Sequence, residues 1–127
     1  YLQYATIRAG RIFEKLAERG VNAMLDERSL ERLTLDEKLD DDMWQLVRLS
    51  ADLPSQIRRA VDSLELSVAT KALFDLAQAF NTFYHKYPIL NEKDAAERQR
   101  RAVCADVFGQ TMRATLGFLG IPVPERM

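Results

Sequence analysis

Between Ala69 and Tyr87 the apolar residues recur three or four positions apart, as Ala69, Leu73, Leu76, Ala77, Phe80, Phe83, Tyr84 and Tyr87, and Pro88 follows at once. That spacing puts the side chains on one broad face of an α-helix, and so wide an apolar face must be buried against other elements. Pro88 lacks a backbone donor and restricts the residue before it to extended conformations, so this helix ends near Lys86. No alternating strand-like run lies between Asn-Gly or Asp-Gly turns, and glycine and proline are sparse at 5 and 4 residues. The chain reads as all-α, a single bundle of about five helices.

The remaining punctuation places the other elements. A first helix runs from about Leu2 to Arg19 and stops at Gly20. Its apolar arc holds Leu2, Ala5, Ala9, Ile12, Phe13, Leu16 and Ala17, which is the core face. Thr34 and Glu37 fit a capping box for a second helix carrying Leu39, Met43, Leu46, Val47 and Leu49 inward. Pro54 ends that helix and suits the first position of a short third one through Ala60 and Val61. Ser67 is the candidate N-cap of the helix that reaches Lys86, and Asn91, with Asp94 three residues on, opens the last helix, which ends near Leu119. Val21 to Leu33 is read as loop or partial helix.

With 127 residues, 47% of them hydrophobic, the chain is sized for one domain spanning 1–127. It begins at Tyr1, directly in a helical pattern, and is expected to be a piece of something longer. No apolar run reaches the roughly 18 residues of a membrane span, so no membrane partner is expected. The one cysteine, Cys104, lies in an apolar stretch and is expected to be a buried reduced thiol, which makes a cytoplasmic location the default. His85 is the only histidine, so zinc and di-iron sites lack ligands. No glycine-rich phosphate loop occurs. The acidic run Asp40-Asp41-Asp42 is read as a dipole partner and solvated face at a helix start. No catalytic, cofactor or metal residues are assigned.

A net charge of −1 gives no global argument for nucleic acid, so any basic site must be local. One such stripe exists. Off the core face of the first helix lie Tyr1, Tyr4, Arg8, Arg11, Lys15 and Arg19. Four cations and two rings on one stripe form either a solvated face or a surface where cations follow phosphates and rings stack on unpaired bases. On the helix before Pro88, Phe74, Gln78, Asn81 and His85 recur away from the core face; their amides can bond base edges or simply sit in water.

The close GIPVPERM sets two prolines after a helix-ending glycine, a stiff tail where a frayed polar end would suffice. Together with the opening LQYATIRAGRI and the middle LAQAFNTFYHKYPIL, it resembles three motifs of arginyl-tRNA synthetases in order: a "QYAxxR" helix start, a "LAxxFxxFYxxxPVL" helix end and a "LGIxxPERM" terminus. The resemblance is to the C-terminal anticodon-binding domain of those enzymes, the DALR domain, and covers essentially the whole chain. It implies a helical bundle that binds the anticodon stem-loop of arginine tRNA. The matching residues expected at the RNA are Gln3, Tyr4 and Arg8 of the opening motif, Asn81 of the middle one, and Arg126 and Met127 of the tail. Arg11 and Lys15 join them from the basic stripe.

Thr6 and Ile7 stand where the family often has His-Ala, the literal Asp-Ala-Leu-Arg string is missing, and neither the His-Ile-Gly-His nor the Lys-Met-Ser-Lys type of nucleotide motif is present. The resemblance therefore implies a non-catalytic chain. A catalytic domain using ATP with magnesium is expected upstream of Tyr1, in a parent arginine–tRNA ligase expected to be a monomer. The alternatives are the anticodon domain of another class I synthetase, such as the cysteinyl enzyme, and a helical protein-interaction module without RNA binding.

Overall fold

A computed structural model describes residues 1–20 and 41–124 of the chain. Among these residues there are four helices, α1 (Leu2–Glu18), α2 (Asp41–Ser63), α3 (Leu66–Lys86) and α4 (Ala95–Phe118), and no strands. The expected capping box at Thr34 and Glu37, the inward Leu39, the segment from Val21 to Leu33 and the tail residues Arg126 and Met127 lie outside the described residues.

α1 buries Ala5, Ile7, Ala9, Ile12 and Leu16. Thr6 is also buried and returns its hydroxyl to the Leu2 carbonyl at 2.8 Å, which satisfies the polar atom within its own helix. Ala17, expected inward, is exposed. Gly20 then takes a φ of 72° and donates to the Ala17 carbonyl at 3.0 Å, the left-handed stop that glycine supplies at low cost.

Pro54 does not divide α2. Met43, Leu46, Ser50, Leu53, Ile57 and Ala60 are buried along one uninterrupted stripe of three- and four-residue steps on both sides of it, while Pro54 itself is exposed. An interior proline costs about 3 kcal/mol. Each fully buried aliphatic side chain contributes about 1.5–3 kcal/mol, so continuing the stripe outweighs the break. The expected second and third helices are therefore one.

The turn into α3 places Leu64 at a φ of 56°, with Glu65 N–H bonded to the Ala60 carbonyl at 3.0 Å. This closure starts α3 at Leu66, with Glu65 rather than Ser67 in the cap position. The helix ends at Lys86, as Pro88 requires. α4 is capped by Asp94, whose carboxylate accepts from Ala96 and Glu97 N–H. Asn91, expected to open it, sits in the preceding loop. Arg101 ties that loop down, donating to the Pro88 carbonyl at 2.7 Å and pairing with Glu92 at 2.8 Å. At the far end, Gly120 N–H bonds the Gly117 carbonyl and Ile121 N–H the Leu116 carbonyl, at 3.1 and 2.8 Å. This Schellman closure releases the chain into an extended tail.

α1 and α2 each pack on both α3 and α4. Where α3 meets α4, Phe80 and Phe108 stack with centroids 4.2 Å apart and planes 2° from parallel, both fully buried. Asp42 is not merely solvated: it accepts from Lys86 Nζ and from the Tyr87 hydroxyl, joining α2 to the end of α3. Cys104 is buried, and desolvation pushes its thiol up to about 12. It is a protonated packing group rather than a nucleophile. Among the described residues no helix is long and apolar enough to cross a membrane.

Candidate nucleic-acid interface

The basic stripe of α1 faces the side of α3 that carries Asn81 and Tyr84. Arg8 is the centre of this seam. Its guanidinium carbon lies 4.6 Å from the Tyr4 ring centroid and 4.7 Å from that of Tyr84, so a ring from each helix covers the cation, an arrangement favoured by the ring quadrupoles. Nη2 donates to the Tyr4 hydroxyl at 2.8 Å and Nη1 to Asn81 Oδ1 at 3.2 Å. Asn81 Nδ2 in turn donates to the Tyr1 hydroxyl at 2.8 Å. The Tyr1 ring stacks on Phe74 with centroids 5.0 Å apart, and both rings are about half exposed, at 55% and 49%.

Beside this cluster a depression of about 150 Å³ is lined by Tyr4, Arg8, Arg11, Lys15, Tyr84 and Leu90, with Ile7 and Ile12 at its base. Arg11 and Lys15 are exposed at its rim. Arg19, from the same stripe, donates to the carbonyl of Leu90 at 2.7 Å. The tail meets this region from the other end, where Gln3 Nε2 donates to the Pro122 carbonyl. Val123 packs against the core nearby in sequence. The seam thus gathers three cations, two rings and a docked extended segment in one region of the bundle.

The family model for the DALR anticodon binding domain matches residues 2–127. The chain belongs to this family. As a DALR domain it is similar to several arginine–tRNA ligases across its whole length. It is 34% identical over 129 residues to that of Nitratidesulfovibrio vulgaris, covering 100% of this chain and 22% of that protein. The figures for Ligilactobacillus salivarius are 34% over 127 residues, covering 100% and 20%. For Thermococcus kodakarensis they are 33% over 131 residues, covering 100% and 19%. The chain thus spans about a fifth of the length of the curated relatives it matches.

Of the residues singled out from the sequence, the fold of this DALR domain brings Tyr4, Arg8, Arg11, Lys15 and Asn81 to one seam and sets Gln3 at the tail. Arg126 and Met127 fall outside the described residues. Two participants were not singled out, and one was named without a role. Tyr84 sits on the arc read as core, yet it is only half-buried and closes over Arg8. Phe74 was on the unassigned side of its helix and finds Tyr1. The signal for both was a spacing of seven residues from Phe74 to Asn81 and of three from Asn81 to Tyr84, which puts aromatic and amide groups along one edge of α3. The third, the Pro122 carbonyl, is a backbone group 119 residues from its donor, and no local pattern marks it.

Proposed function

We propose that this DALR domain binds the anticodon stem-loop of an arginine tRNA, as the anticodon-binding part of an arginine–tRNA ligase. The observation that carries the reading is the seam itself: Arg8, Arg11 and Lys15 around one depression, with the rings of Tyr4 and Tyr84 beside them, in a domain whose relatives are arginine–tRNA ligases. Cations at this spacing suit consecutive phosphates, and half-exposed rings suit bases that the loop leaves unpaired. The domain contributes recognition. Activation of arginine with ATP and magnesium, and its transfer to tRNA, belong in this proposal to a catalytic part of the parent enzyme, for which the chain carries no nucleotide motif.

The test is binding of the chain to an arginine tRNA anticodon stem-loop beside an unrelated stem-loop, at two or more salt concentrations. Neutralising about three phosphates of single-stranded character gives a slope of log affinity against log salt near −2. Tyr4→Ala is expected to cost about 1–3 kcal/mol of binding if a base stacks on that ring. Because Tyr4 is 47% exposed, the free fold should change little. Equal affinity for the two loops, or an affinity indifferent to salt, refutes the reading.

A further inference from the structure

Asn81 matches the middle motif and was expected to touch RNA, but both ends of its amide are engaged within the protein. Oδ1 accepts from Arg8 Nη1 at 3.2 Å and Nδ2 donates to the Tyr1 hydroxyl at 2.8 Å. The consequence for Arg8 is specific. Ring contacts at 4.6 and 4.7 Å keep the guanidinium near Tyr4 and Tyr84 but do not choose which of its N–H groups point outward. In-plane orientation is set by what the edge nitrogens donate to, here Tyr4 Oη for Nη2 and Asn81 Oδ1 for Nη1. Tyr4 lies one turn earlier on the same helix and moves with Arg8. Asn81 lies on α3 and is the only one of the two acceptors that fixes the edge relative to the rest of the bundle.

We propose that Asn81 is a positioning residue: it aims the free edge of Arg8 and holds the Tyr1 hydroxyl, and acts on RNA through them rather than by a contact of its own. This rests on the RNA-binding reading above. Arg8 has five N–H groups and gives two to these partners, so three remain for a phosphate. Their direction depends on where Asn81 holds the other two.

The experiment is a double-mutant cycle in the full chain, read by affinity for the arginine tRNA stem-loop below the unfolding onset of every variant. Asn81→Ala should weaken binding about three- to tenfold in the otherwise unchanged chain, the net worth of one ordinary hydrogen bond lost indirectly. In an Arg8→Ala, Tyr1→Phe background the same change should cost less than about twofold. Asn81→Asp keeps the acceptor for Arg8, replaces the donor to the Tyr1 hydroxyl with a second acceptor, and sets a carboxylate against the guanidinium. It should make the salt slope shallower by about 0.7, one phosphate's share for single-stranded RNA. Losses that add in full, with an unchanged slope for Asn81→Asp, mean that Asn81 meets the RNA directly and overturn the proposal. An RNA-free arm separates this failure from that of the functional reading: nitrogen NMR of the Arg8 guanidinium should show slow rotation in the unchanged chain and fast rotation in Asn81→Ala. Equal rotation overturns the positioning role whether or not RNA binds. Equal binding of related and unrelated loops by the unchanged chain sinks the functional reading alone, and leaves the orientation of Arg8 to be decided by rotation.

Discussion

Arg8→Lys keeps the charge of the seam and removes its geometry. A lysine ammonium is a compact point charge with no planar fork, so it cannot contact both the Tyr4 and Tyr84 rings and donate to two acceptors on different helices in the same way. The contacts that cross between α1 and α3 are the Asn81 bond at 3.2 Å and the Tyr84 ring at 4.7 Å. A charged donor on a neutral acceptor is worth about 1.5 kcal/mol at the lower end of its range, appropriate to a half-buried group. A cation over a partly exposed ring adds about 0.5–1 kcal/mol. The Tyr4 contacts are within one helix and contribute less to tertiary stability. The substitution should therefore cost about 2 kcal/mol, which for a chain of this size lowers Tm by roughly 6–10 °C. Urea unfolding followed by circular dichroism measures the loss, and the m-value should not change, since no core area is lost. A variant that melts within a degree of the parent would show that the cluster has no energetic weight in the free domain, and the argument from a held guanidinium would fail with it.

Leu64 holds a left-handed φ of 56° while 90% exposed, so Leu64→Gly removes backbone strain without losing packing and should stabilise by about 0.5–1 kcal/mol in the same assay. The Asp42 carboxyl is held below its ordinary value of 3.8 by the hydrogen bond from Lys86 and then by that from Tyr87. A carboxyl with a depressed folded pKa stabilises above its unfolded value and loses that contribution as pH falls through the folded one. Acidification from about pH 5 to about pH 2 should thus destabilise the parent more than Asp42→Asn, and parallel pH profiles would contradict the pairing. A methyl at Gly109 would lie 3.6 Å from Cβ of Ala9, an ordinary contact. Gly109→Ala should then gain about 0.5–1 kcal/mol of helix stability. Gly109→Leu should instead overpack the α1–α4 contact at about 1–3 kcal/mol; unfolding curves that rank the two alike would refute the close approach.

Chain punctuation was legible where a single residue decides the backbone. Gly20, Pro88 and Gly120 each end a helix because left-handed φ or a missing donor leaves little choice. Pro54 has the same local chemistry and the opposite outcome, since burial continues in phase on both sides of it. That is a tertiary quantity which spacing alone under-weights. The caps at Ser67 and Asn91 were misplaced for a related reason: a polar side chain caps only if the preceding turn delivers it there. The closures at Leu64 and Asp94 shift the start of each helix by a residue or more. In the site, periodicity identified the cationic stripe of α1 but not its counterpart. Tyr84 lies at the edge of an apolar arc, and whether such a residue is core or surface depends on which helix lies across from it.

The arrangement around Arg8 explains how one seam can offer two kinds of contact at once. Arg8 is held among the Tyr4 and Tyr84 rings and two acceptors, and the N–H groups not given to those acceptors remain for an anion, while the Tyr4 ring is 47% exposed. On the proposed reading, a phosphate meets the edge and a base meets the ring, and neither obstructs the other. The two contributions then separate experimentally. Tyr4→Phe keeps the ring and removes only an acceptor of Arg8, so it should change the salt slope with little loss of stacking, whereas Tyr4→Ala should show both losses. Asn81 lies at the junction of the two, bonded to the cation on one side and to a second exposed tyrosine on the other. A half-buried amide on α3 is thus the point from which both approaches are held in register.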